Sequence, residues 1–395
     1  MLDGLLTGWP SFTHEEAHKA SQVLLSNKVN YWTGTEGREF EKEFAEFADS
    51  EYAIAVANGT VALDLALFAL GLGEGDEVIV TPRTFIASIS AIVNAGAIPV
   101  FADVDRASQN ITRESVRKVI TQKTKAVVCV HLAGWPCDMD GFMALAKEHD
   151  LKIIEDCAQA HGAKYTGKDG VTRSVGSIGH IGAWSFCQDK IMTTGGEGGM
   201  VTTNDKALWE KMWSFKDHGK SYDAVYHREH PPGFRWLHES FGTNWRLTEM
   251  QSAIGRIQLK RMPEWTAART RNANALAEVC RKFDFLRVPV IPAHITHAHY
   301  KFYVFVELDK LPKAVTRDSL IELINQTGIP CMQGSCSEVY LEKAFDNHPS
   351  KPKERLPVAK ELGETSLMFL VHPTITVEVM SEVCAVLERG LSEIL

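Results

Sequence analysis

The chain has 395 residues, 45% of them hydrophobic, and a formal net charge of −8. That is length enough for one large domain with a smaller appendage, and its scattered lysines and arginines exclude an electrostatic nucleic-acid binder. No run reaches the ~18 apolar residues of a membrane span, and the opening MLDGLLTGWPSF has neither a basic start nor a long apolar core, so a soluble, cytoplasmic protein is expected.

The predicted elements follow in order. THEEAHKASQVLLSN and GREFEKEFAEFAD carry apolar residues at helical spacing, separated by a YWTGTEG loop. YAIAV then reads as a strand, Asn58 and Gly59 as a turn, and the segment from Thr60 as a helix so apolar that it must lie between layers. Strand-like and helix-like runs alternate after it: VIVTPRTF and ASISAIVNAG, IPVFADV and ITRESVRKVI, AVVCVHLAG and MDGFMALAKEHD, then KIIEDCAQA. Such alternation is the pattern of an α/β fold, a mostly parallel sheet between helices, in which ligands collect at the carboxyl ends of the strands. From Met250 one long helical pattern leads into a smaller α+β unit, with a strand (YKFYVFVEL), a helix (TRDSLIELINQTG), an irregular stretch to about 355 and a closing helix (VEVMSEVCAVLERGL). The expected division is 1–255 and 256–395.

Eight cysteines (129, 137, 157, 187, 280, 331, 336 and 384) form no CxxC pair and sit largely in apolar runs, as reduced thiols do. The HREH and HITHAH segments lack the HExxH spacing that sets two imidazoles on one helix face, so no metal is expected.

The chemistry centres on WSFCQDKIMTTGGEGGM, residues 184–200, where Lys190 stands between a strand and a glycine cluster. Asp156 ends the strand KIIED, so a carboxylate arrives at the lip of the sheet; helix capping is the competing role. A lysine and an acid at the ends of two strands are what a pyridoxal phosphate enzyme requires. The amine forms a Schiff base with the cofactor aldehyde, and the acid keeps the pyridine nitrogen protonated. Gly59 and Thr60, opening a helix, offer backbone N–H groups and a hydroxyl to a phosphate, or simply cap that helix. Ser185 can add a second hydroxyl. Phe85, just past a strand end, can stack on a flat ring or fill the core.

The motifs FEKEFAEF, NGTVALDLAL, TPRTFIAS, GAIPVFADVD, VHLAGWPCDMD, EDCAQAHGA, SFCQDKIMTTGGEGGM and GTNWRLTEMQSAIGRIQL together resemble the DegT/DnrJ/StrS family of fold-type I, pyridoxal phosphate-dependent sugar aminotransferases. The resemblance implies Lys190 as the Schiff-base lysine, Asp156 at the pyridine nitrogen, Gln159 near the ring 3-hydroxyl, and Phe85 stacked on the ring. It also implies Gly59, Thr60 and Ser185 at the phosphate, with Asn244 reaching that phosphate from the second subunit of a homodimer. L-glutamate is the implied donor. A keto or aldehyde sugar of surface polysaccharide, lipopolysaccharide included, is the implied acceptor, with a nucleotide-linked keto-hexose as the alternative.

Two departures stand out: Asn58 replaces the family's usual Ser before Gly-Thr, and CMQGSCSEVYLEKAFDNH replaces its aromatic and proline-rich substrate loop. Arg246 and His218 are further candidates for a donor carboxylate, or for structural ion pairs. A dehydratase of the same fold, a cofactor-binding regulator and a cofactor-free α/β binding module are the rival readings. The first is disfavoured by Lys190, since that branch carries His at this position.

Overall fold

The computed structural model describes residues 8–394; the leading MLDGLLT of the segment discussed above lies outside them. Two helices come first, α1 (His14–Leu25), opened by a Thr13/Glu16 capping box, and α2 (Glu36–Phe47), which turns Phe40 and Phe44 into the core. The α/β layers follow: β1 (Tyr52–Val56), α3 (Gly59–Leu70), β2 (Glu77–Val80), α4 (Ala87–Asn94), β3 (Ile98–Phe101), α5 (Arg113–Arg117), β4 (Thr124–Val130), α6 (Met139–His149) and β5 (Lys152–Asp156). Then come a small hairpin, β6 (Lys164–Thr166) and β7 (Thr172–Ser174), the strands β8 (Ile181–Ser185) and β9 (Gly199–Thr203), and helices α7 (Lys206–Lys216) and α8 (Tyr222–Tyr226).

Seven strands form one sheet in the order β1-β9-β8-β5-β4-β2-β3. Neighbours from β8 through β3 run parallel, while β9 is antiparallel to both β8 and β1. The carboxyl ends of β1, β2, β4, β5 and β8 therefore share one edge. This is the mostly parallel α/β sheet of fold type I. α3 packs across it as expected from its composition, burying Leu63, Leu65 and Leu67 against Ile54, Val128 and Ile154.

α9 (Glu249–Cys280) opens with a Thr248/Gln251 capping box and runs 32 residues without a break. Its first half packs Leu259, Met262 and Trp265 into the core that holds Phe40 and Trp184. Its second half packs Ala273 and Leu276 into a separate core. The expected division at 255/256 thus falls within the opening turns of α9. The second core is built on the sheet β10-β12-β14-β13, made of β10 (Leu286–Arg287), β12 (Phe302–Val306), β13 (Cys331–Met332) and β14 (Ser366–Phe369). Helices α10 (Arg317–Gln326), α11 (Pro357–Thr365) and α12 (Val377–Ser392) accompany it, while β11 (Ile295–Thr296) joins β6 and β7 in a third sheet.

Some local expectations change. ITRESVRKVI forms only the five-residue α5. The β6–β7 hairpin, α11 and β14 were not legible in the pattern, the first because its strands are three residues long. All eight cysteines are free thiols. No described helix is long and apolar enough to cross a membrane.

Candidate active site

The site lies along the carboxyl edge of the large sheet. At its centre Asp156, the last residue of β5, is buried, and its carboxylate has two donors: the Ser88 hydroxyl to Oδ2 at 2.7 Å and the Ala158 N–H to Oδ1 at 3.1 Å. Ser88 spends its only hydrogen on Asp156, so Thr84, 2.9 Å away, is the donor in the Thr84–Ser88 contact. Burial pushes the Asp156 carboxyl upward, and the two hydrogen bonds with the nearby Lys190 and His131 charges pull back against it. Among the described residues it has no ion-pair partner.

Lys190 lies on a short loop between β8 and β9. Thr193 Oγ1 and the Thr194 N–H both return to the Phe186 carbonyl, at 2.9 and 3.3 Å, and close that loop. Gly195 and Gly196, at φ of 87° and 120°, then turn the chain into β9 through conformations a side chain would oppose. The Lys190 amine sits 3.9 Å from Asp189 Oδ1 and 5.3 Å from the centre of the Tyr300 ring. Tyr300 in turn donates its phenol hydrogen to Asp189 Oδ2. Behind the loop the Trp9 indole donates to the Lys190 carbonyl at 2.7 Å.

β1, β9 and β8 bring the start of α3 against Ser185. A Cβ on Gly59 would lie 2.6 Å from the Ser185 Cβ, so only glycine lets the first turn of the helix approach this closely. Asn58 caps the helix by accepting from the Val61 N–H at 3.0 Å, which gives this residue a local purpose of its own. The N–H groups of Gly59 and Thr60 belong to the first turn and have no intrahelical acceptor. With the exposed Thr60 and the Ser185 hydroxyl they form a cradle for an anion.

Phe85 is 67% exposed on the β2–α4 loop, three residues before Ser88, where a large apolar ring lacks cover within this chain. Gln159 accepts the Ala133 N–H at 2.8 Å, which fixes its amide on the side of the β4 end. Asn244 is exposed and pairs through its backbone with Asp217. The next residue, Trp245, accepts from the Ala57 N–H at 2.8 Å, so Asn244 lies close to the residues that open α3. Arg246 forms an ion pair with the buried Asp217 carboxylate, the structural role foreseen as its alternative. His218 stands at a positive φ of 60° next to that carboxylate.

The structure thus sets Gly59 against Ser185 and puts Asp156, Gln159, Phe85 and Lys190 on one edge. These residues fit pyridoxal phosphate: a buried carboxylate with no ion-pair partner, a helix start shaped by glycine, and an exposed aromatic ring on the β2–α4 loop.

Sequence reasoning missed Ser88 and Thr84, whose i, i+4 spacing in TFIAS was a usable signal. It missed Trp9 and Tyr300, which come from distant segments. It also missed His161, buried against Trp184 and Phe186, with its pKa pushed down to about 3 by burial and by the Lys190 and Arg269 charges.

A third buried group underpins the edge. Glu155 accepts from the N–H groups of Gly176 (2.8 Å) and Ile178 (2.9 Å) and pairs with His131 Nε2 at 2.9 Å. Burial opposes a charged His131, yet Cys157 and Glu155 outweigh it and hold its pKa well above the usual histidine range.

Residues 10–388 match the DegT/DnrJ/EryC1/StrS aminotransferase family. The chain is 34% identical to GDP-perosamine synthase of Escherichia coli O157:H7, over 97% of this chain and 98% of that one. It is 36% identical to a UDP-N-acetyl-3-dehydro-alpha-D-glucosamine 3-aminotransferase of Acidithiobacillus ferrooxidans, over 93% and 92%. An aminotransferase from Psychrobacter cryohalolentis, solved by X-ray methods, superposes with a TM-score of 0.96 at 65% identity, covering 98% of this chain and 99% of that one. The chain belongs to the DegT/DnrJ/EryC1/StrS aminotransferase family and is a pyridoxal phosphate-dependent sugar aminotransferase.

Proposed function

We propose that the chain moves an amino group from L-glutamate to a keto or aldehyde sugar of surface polysaccharide, with Lys190 and Asp156 as its catalytic residues. The observation that carries this reading is the placement of a buried, cation-free Asp156 carboxylate and the Lys190 amine on one sheet edge. The bound cofactor supplies an electron sink for the charge that develops on a substrate carbon. The protein supplies the rest. Asp156, oriented by Ser88 and Ala158, would offer its charge to the ring nitrogen. Gly59, Thr60 and Ser185 would hold the phosphate, Phe85 would cover the ring face, and Gln159 would stand beside the 3-hydroxyl. Lys190 Nζ takes the proton from the donor α-carbon, and in the second half-reaction delivers one to the acceptor carbonyl carbon.

The same reading makes the working form a cytoplasmic homodimer in which Asn244 serves the neighbouring subunit's phosphate. Its support is the apolar surface of the 217–246 segment, where Trp236 is 82% and Phe241 98% exposed, next to the exposed Asn244.

For the acceptor, one reading takes 8-amino-3,8-dideoxy-manno-octulosonate, a lipopolysaccharide sugar, as the product, on the resemblance of the YWTGTEG loop and the 331–348 stretch to the enzyme that makes it. The second reading, a nucleotide-linked keto-hexose, is favoured by the relatives named for GDP- and UDP-sugars. Incubation with glutamate and each class of keto sugar, following 2-oxoglutarate release, separates them. Lys190→Ala should lower turnover roughly a thousandfold or more; full activity in that variant would overturn the assignment. A regulator would bind the cofactor and release no 2-oxoglutarate.

A further inference from the structure

Beside Gln159 lies a cavity walled by Gln109, Ala133, Trp135, His299, Lys301 and Tyr303, with no carboxylate anywhere in its lining. Ala133 is the residue whose N–H holds Gln159. The Lys301 amine sits 4.7 Å from the centre of the Tyr300 ring, the ring that also faces the Lys190 amine at 5.3 Å. A lysine of the cavity wall and the reacting lysine thus share one ring.

The cations on and behind its wall are unpaired. Lys301 is half-buried and forms no ion pair among the described residues. Arg83 is fully buried behind the cavity wall. It donates from Nε to Gln109 Oε1 at 2.9 Å and from Nη2 to Ser366 Oγ at 3.3 Å, lies 5.7 Å from the centre of the Tyr303 ring, and leaves Nη1 without a partner. Every acceptor it has is neutral. Arg269, behind Tyr300, is equally buried and donates only to the backbone carbonyls of His299 and Tyr300, leaving Nε and Nη2 unpartnered. Charges removed from water without a counter-ion are unstable unless an anion joins them, and the nearest acid, Asp189, is exposed and engaged by Tyr300.

We infer that this cavity is a carboxylate-binding subsite, with Lys301 as the cation that receives the ligand and Arg83, buried behind Gln109 and Tyr303, as a second positive charge that favours an anion there. The inference rests on the aminotransferase reading, because donor and acceptor meet Lys190 in turn and so share the space beside it. A carboxylate suits an unpaired ammonium on the wall of a small cavity that holds no acid, with a buried guanidinium behind that wall. It can come from the amino donor or from an acidic sugar.

The test is calorimetric titration of the cofactor-loaded enzyme with glutarate, and with its uncharged dimethyl ester as control. The wild type should bind glutarate and ignore the ester. Lys301→Met should weaken glutarate tenfold or more, Arg83→Gln, acting from behind the wall, should weaken it less, and Lys301→Arg should restore binding. Steady-state kinetics then names the source. A higher KM for L-glutamate in Lys301→Met assigns the subsite to the donor, and a higher KM for an acidic keto sugar alone assigns it to the acceptor. Equal binding of glutarate and its ester, or glutarate binding unchanged in Lys301→Met, overturns the subsite. An enzyme that transfers amino groups with unaltered KM values in both variants sinks the subsite alone. One that binds glutarate but transfers nothing sinks the donor and acceptor reading instead.

Discussion

The Ser88 hydroxyl donates to Asp156 Oδ2 at 2.7 Å across the gap between the β2–α4 loop and the end of β5. It is one of two donors that lower the pKa of a carboxyl group that burial raises. Ser88→Ala should therefore raise the pKa of Asp156 and weaken its hold on the ring nitrogen. The expected loss is about 1–2 kcal/mol, or roughly tenfold in cofactor affinity, read by titrating the apo protein with pyridoxal phosphate. Unchanged affinity would show that the hydroxyl has no part in the site.

Gly59→Ala tests the cradle. The new methyl group would fall 2.6 Å from the Ser185 Cβ, so either α3 or Ser185 has to shift. A loss of about 1–3 kcal/mol is expected for such overpacking. It should appear as a lower Tm together with cofactor lost on gel filtration, whereas Thr60→Ser should retain both.

Glu155→Gln should cost about 3 kcal/mol or more of folding stability, measured by denaturant titration. Backbone donors from Gly176 and Ile178 converge on this carboxylate together with His131, and a glutamine would turn an N–H₂ toward one of them.

Lys301 has its pKa pushed down to about 8. Burial is the main cause, Asp189 opposes it, and the Arg269 and Lys190 charges reinforce it. Glutarate affinity should consequently fall roughly tenfold between pH 7 and 9 as the ammonium is lost. Lys301→Arg should flatten that profile, and an equally steep profile in the variant would place the titration elsewhere.

The elements of the large sheet were legible because their signals are local. Continuous apolar strands, the Asn58 cap and the capping residues of α1 all speak within a few positions. Asp156 was legible for the same reason, as an acid that ends a strand, and Lys190 as a lysine between a strand and a glycine turn. What escaped were relations between distant segments. Ser88 meets Asp156 across 68 residues, and Trp9 meets Lys190 across 181. Neither leaves a periodicity, since each rests on where strand ends converge. The short β6–β7 hairpin and β13 escaped because two or three residues cannot show an alternation.

Trp9 also bears on the order in which the site can be finished. Its indole precedes the large sheet, yet its partners are Lys190, Trp265, Arg269 and His372, which reach into the second core. A nascent chain that has just completed β9 already has the strands that set Asp156 and Ser185 on the sheet edge, because domains fold as their segments emerge. The reactive loop stays unclasped until His372 has been added. The lysine therefore gains its final setting only in a chain whose second core exists, which ties chemical competence to the assembly of that core.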